Sequence, residues 1–103
     1  MIAAKQPLWT GELALELLNR RGWSVGPAEL TLRPRSVVVR HDGHTLGVLD
    51  RDWFRRWLTQ PQPDPYLVDE LAWTVQLGIT FLMTGTAVYR VAPETLKALV
   101  EVI

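Results

Sequence analysis

The 103-residue chain falls near the modal size of one domain, and with 48% hydrophobic and 21% charged residues it has the composition of a folded globular protein. It contains no cysteine, which excludes disulfides, thiol catalysis and the common structural zinc sites, and makes the cytoplasm the expected location. Formal net charge is zero, which argues against a strong electrostatic DNA binder.

The N-terminal stretch MIAAKQPLWTGELALELL lacks a basic start followed by a long apolar run, and no segment approaches the roughly 18 consecutive apolar residues of a membrane span. Neither secretion nor membrane insertion is expected. Within this stretch Thr10 is placed to cap a first helix. Glu12 lies in its first turn, Leu13, Ala14, Leu17 and Leu18 form its apolar stripe, and Gly22 stops it after Arg20 and Arg21. Glu16 and Arg20 stand i,i+4 on its outer side.

After a GWSVGP loop, ELTL, SVVVRH and HTLGVL read as three strands over residues 29–49. Pro34 separates the first two, and Asp42-Gly43 forms a hairpin turn between the second and third. Asp50 then caps a helix over 51–59. Trp53, Phe54, Trp57 and Leu58 make one apolar face of it, while Asp52, Arg55 and Arg56 lie away from that face. The prolines of 60–66 mark a linker.

Periodicity leaves 66–77 open between helix and strand, because Asp64-Pro65 starts a helix while Leu71, Trp73, Val75 and Leu77 alternate with polar or small residues. A shift of the sequence by 42 residues favours strand. It lays SVVVRHDGHTLGVLDRDWFRRWL over GITFLMTGTAVYRVAPETLKALV, with Gly43 on Gly85, Leu49 on Val91, Phe54 on Leu96 and Trp57 on Leu99. In the C-terminal helix this register turns Leu96, Leu99, Val100 and Ile103 inward and Lys97 outward. The expected architecture is one α+β domain over 1–103, a mostly antiparallel sheet of about six strands with three helices in the order α-βββ-α-βββ-α. A strand-hairpin-helix unit is duplicated over 28–59 and 71–103.

Residues 33–56 hold six arginines against three aspartates, while 60–103 hold two cations against five acids. Arg33, Arg35 and Arg40 read as a basic strip on adjoining strands, with Arg55 and Arg56 beside them, suited to phosphate or an acidic protein. His41 and His44 flank the Asp-Gly turn with Asp42 beside them, but no third histidine or cysteine exists to complete a metal shell. Asp69-Glu70 reads as a solvated edge and Thr84-Gly85-Thr86 as a turn. No nucleophile stands with a base, no glycine-rich phosphate loop occurs, and no paired carboxylates are evident, so neither catalysis nor a cofactor, metal or small-molecule ligand is expected. The sequence points to a small cytoplasmic adaptor or regulator that binds another protein or itself. The alternative is a nucleic-acid-binding regulator using the arginines, whose affinity would fall steeply with salt.

Overall fold

In the computed structural model, which describes residues 11–103, the first segment is a strand. GELALELLN carries leucine at 13, 15 and 17, alternating with Glu12, Ala14 and Glu16, so a period of two coexists with the helical stripe. Strand β1 (Gly11–Asn19) uses the former: Leu15 is fully buried, and Glu12, Ala14 and Leu18 face solvent. The expected first helix is therefore corrected. Ala, Leu and Glu favour helix by only a few tenths of a kcal/mol per residue, less than is gained by pairing on two sides and burying the leucines. The proposed cap Thr10 lies outside the described residues. Gly22, expected as a helix stop, ends a two-residue turn at φ 105°.

The expected GWSVGP loop is likewise the first half of β2 (Gly22–Leu32), a long strand whose pairing with β1 shifts register between Ala14 and Glu16. Next come β3 (Ser36–His41), β4 (His44–Asp50) and α1 (Arg51–Thr59). The hairpin turn between β3 and β4 has Asp42 at φ 50° and Gly43 at φ 80°, the left-handed pair that an Asp-Gly turn supplies. Asp50 caps α1, accepting from the Trp53 amide at 2.8 Å.

The second half runs β5 (Tyr66–Val68), β6 (Leu71–Gln76), β7 (Ile79–Met83), β8 (Val88–Arg90) and α2 (Pro93–Val102). The β3, β4, α1 sequence of elements thus recurs as β7, β8, α2 at the 42-residue spacing, and 71–76 is strand. The β6–β7 turn holds Leu77 at φ 53° and Gly78 at φ 77°. Leucine in that left-handed conformation costs about 1–2 kcal/mol, and this one is fully exposed.

All pairings are antiparallel, in the order β4-β3-β2-β1-β8-β7-β6-β5. The result is one eight-stranded, nearly closed, barrel-like sheet with two helices among the described residues, which replaces the expected α+β domain of six strands and three helices. At the unpaired seam, β4 meets the start of β6: a Cβ on Gly47 would stand 2.9 Å from Leu71 Cδ1 and 3.5 Å from Asp69 Oδ2. Helix α1 straddles this seam. It follows β4 directly and packs Trp53 against Tyr66 of β5, with ring centroids 4.0 Å apart.

The core fills the inside of the curve. Leu15, Leu30, Val37, Val39, Leu49, Trp73, Leu82 and Tyr89 point inward from the strands, and α1 adds Phe54 and Trp57 against Trp73, at 4.8 and 6.4 Å between centroids. Segment 60–65 is tied to this core and is no free linker. Pro63 is buried, and the Trp57 indole N–H donates to the Asp64 carbonyl at 2.8 Å. In α2, Leu99 is buried and Leu96 half-buried as expected, but Val100 is 45% exposed and faces outward, which corrects its inward assignment. No helix among the described residues is long and apolar enough to cross a membrane.

Candidate interaction surface

An antiparallel sheet with one buried face ordinarily turns polar residues outward. The strands from β5 to β2 do otherwise. Leu67 stands opposite Ala72, Ala72 opposite Met83, and Met83 opposite Val88. Because Leu17 pairs with Tyr89, Leu18 lies beside Val88, and Leu18 in turn pairs with Trp23. These six residues form one lateral row on the convex side of six consecutive strands, about 24 Å across at the usual strand spacing. None of them packs into the core, and Leu67 and Leu18 are 74% and 49% exposed.

The next row along the strands is Thr74, Phe81, Arg90, Glu16 and Val25. Its centre is an ion pair, Arg90 Nε to Glu16 Oε2 at 2.7 Å, with both side chains about a quarter exposed. The Arg90 guanidinium also lies 4.6 Å from the Trp23 ring centroid, and Trp23 packs on Phe81 at 5.9 Å. The aromatic rings are thus held in place by a fixed charge, so the surface is shaped before anything binds it. An apolar belt of this extent, rimmed and pinned by polar groups, is the usual mark of an interaction site.

No family model, curated protein or solved structure matches this chain. The reading of the surface therefore rests on its geometry.

The arginines singled out from sequence do not form one strip. Arg33 and Arg35 lie exposed in the β2–β3 turn at one end of β3, and Arg40 lies near the other end, where it pairs with Glu12 at 3.5 Å and donates to the Gly43 carbonyl at 3.2 Å. Arg55 pairs with Asp52 at 2.7 Å, while Arg56 is exposed on the back of α1. Arg51, which sequence reasoning passed over, is 7% exposed and donates to the backbone oxygens of Arg33, Val102 and Ile103. Its task is structural.

His41 and His44 stand directly opposite across the hairpin, as the two-residue turn requires. No group of three or more His, Asp or Glu side chains is placed to hold a metal ion among the described residues. His41 instead meets Tyr89 from β8, with Nδ1 2.8 Å from the phenol oxygen and Nε2 3.6 Å from Asp42 Oδ2. Thr84 closes the facing turn with its own hydroxyl, which accepts from the Thr86 and Ala87 amides. The Tyr89 hydroxyl and the His41 ring hold each other across this corner.

Burial raises the Tyr89 pKa above its ordinary 10.0, and the nearby Asp42 carboxylate raises it further. A phenol whose folded pKa exceeds the unfolded value contributes stability that is intact below pH 10.0 and is lost as pH rises through the folded pKa. Urea midpoints measured from neutral pH into the alkaline range should fall above that point. Tyr89→Phe, although less stable at neutral pH, should show a shallower alkaline fall; an equally steep one would mean that other groups drive it.

The sequence did hold a signal for the belt. ITFLM is apolar at every position but one, a pattern that implies burial on both faces of a strand. Here Leu82 packs into the core, while Ile79, Phe81 and Met83 on the other face lie outside it among the described residues.

Proposed function

We propose that this chain is a non-catalytic protein-interaction module, acting in a reducing compartment such as the cytoplasm, whose working surface is the belt Leu67–Ala72–Met83–Val88–Leu18–Trp23. The observation that carries the reading is the apolar row on the solvent side of six adjoining strands. Its partner is a protein that offers a complementary apolar face with polar groups positioned over Arg90 and Glu16, the half-buried pair at the centre. An adaptor or small regulator fits a surface that binds and performs no bond chemistry.

Of the five arginines singled out from sequence, Arg33, Arg35 and Arg56 stand outside any ion pair among the described residues; the first two share the β2–β3 turn and Arg56 lies apart from them on α1. A nucleic-acid reading would have to rest on them, and the protein reading stands first for that reason.

The test compares proximity labelling in cells by wild type, Leu18→Glu, Met83→Glu and Arg33→Ala/Arg35→Ala, with circular dichroism verifying each fold. A carboxylate in the middle of an apolar interface should lower affinity about 100-fold or more, while leaving the solvent-facing strand position folded. The expected result is a partner set lost from both belt variants and retained by the arginine variant. Partners that survive both glutamates and disappear with the arginines would overturn the reading.

A further inference from the structure

We propose that the chain forms a two-fold dimer in which the exposed Leu77 of each copy fills an apolar groove on the other. The groove, of about 470 Å³, lies between the start of β7 and α2, with Ile79, Val91, Pro93, Leu96 and Val100 along its walls. It opens at the opposite end of the barrel from the β7–β8 turn, so this inference is independent of the belt.

Leu77 is an unusual residue for its position. The two-residue turn it shares with Gly78 requires φ above zero at both places, for which asparagine or aspartate is the favoured first residue. A leucine there accepts backbone strain and is 101% exposed, with no contact among the described residues to offset either. Strain held at an exposed apolar tip points to a contact made outside the chain.

The position of the tip selects a second copy as the occupant. Gly78, the residue after Leu77, itself lines the groove, so knob and hole are adjacent on one surface. A two-fold axis beside the turn brings each Leu77 over the groove of the other copy, the self-complementary arrangement an isologous interface requires. Charge agrees with this pairing. Lys97 and Glu101 both line the groove, one helical turn apart, and the same axis sets Lys97 of one copy facing Glu101 of the other.

The experiment is sedimentation of the purified full chain across a concentration series. Wild type should dimerise reversibly. Leu77→Asn should be monomeric and melt higher at concentrations where wild type is also monomeric, because it relieves the turn while removing both knobs. Loss of two buried leucines weakens the dimer by roughly 100-fold or more. Val100→Glu should be monomeric, Lys97→Glu should weaken the dimer, and Lys97→Glu/Glu101→Lys should restore it. Met83→Glu should dimerise as wild type does.

A wild-type monomer at every concentration would overturn the proposal. So would a dimer that survives both Leu77→Asn and Val100→Glu. Dimerisation lost in Met83→Glu and kept in Leu77→Asn would also overturn it, placing self-association on the belt and leaving the proposed working surface intact.

Discussion

Replacing Trp57 by alanine is expected to lower the unfolding free energy by about 3–5 kcal/mol, the cost of truncating a buried aromatic side chain. Trp57 is 4% exposed, stacks on Phe54 at 6.0 Å and meets the edge of Trp73 at 6.4 Å. Its loss opens a cavity where α1 bridges the unpaired seam. It also removes the indole donor that holds the Asp64 carbonyl and, through it, the segment leading into β5. Because small domains are stable by only about 5–15 kcal/mol, the variant should be marginally folded at 37 °C, with a urea midpoint well below that of wild type.

Trp73 supplies the contrast. It is fully buried, and its indole nitrogen has no hydrogen-bond partner among the described residues. Trp73→Phe gives up ring volume but removes an unsatisfied donor, which by itself costs about 1–3 kcal/mol. The two effects oppose each other, so its midpoint should lie much nearer to wild type than that of Trp57→Ala. A loss equal to that of Trp57→Ala would mean that the indole nitrogen of Trp73 is satisfied in solution.

Arg51→Met is expected to cost about 3 kcal/mol, one or more for each carbonyl left without its donor, and to lower Tm by roughly 15 °C. The guanidinium sits in the first turn of α1, the wrong end of its own helix for a cation. Its partners explain the placement: Val102 and Ile103 end α2, where free carbonyls favour positive charge, and Arg33 lies in the β2–β3 turn. One side chain therefore clamps both helices to the sheet. Arg51→Lys should recover only part of the loss, because an ammonium lacks the planar fork that reaches several carbonyls at once. Arg55→Ala, which removes an exposed pair on the same helix, should stay within about 0.5 kcal/mol of wild type. Equal losses at 51 and 55 would refute the assignment of the clamp.

Much of the local structure was legible because local residues carry it. Asp42-Gly43 specifies its hairpin, Asp50 its cap, and the spacing of Trp53, Phe54, Trp57 and Leu58 the inward face of α1. The 42-residue register resolved 71–76 where periodicity alone could not.

The first segment was misread for an equally definite reason. With five apolar residues among the six from Leu13 to Leu18, both a helical stripe and a strand alternation can be drawn, and only the presence of β2 and β8 on either side chooses between them. Val100 failed in the same way. Its helical phase is compatible with either side, and the neighbouring groove leaves it uncovered.

The candidate sites depended on contacts far apart in the chain. Leu18 and Val88 become neighbours only once β1 joins β8, and Tyr89 meets His41 across 48 residues. Arg51 finds its α2 carbonyls about as far away. Sheet order, which no short motif encodes, assembled both the belt and the clamp.

That same join between β1 and β8 also sets the order of assembly. Every other strand pairing among the described residues links neighbours in sequence, and can form on the timescale of hairpins, whereas this one brings together residues more than seventy positions apart through only two register pairs. Two four-stranded meanders should therefore form early and unite late. Substitutions at Glu16 or Arg90 should then change the unfolding rate far more than the folding rate, since the contact they make is absent when the rate-limiting barrier is crossed.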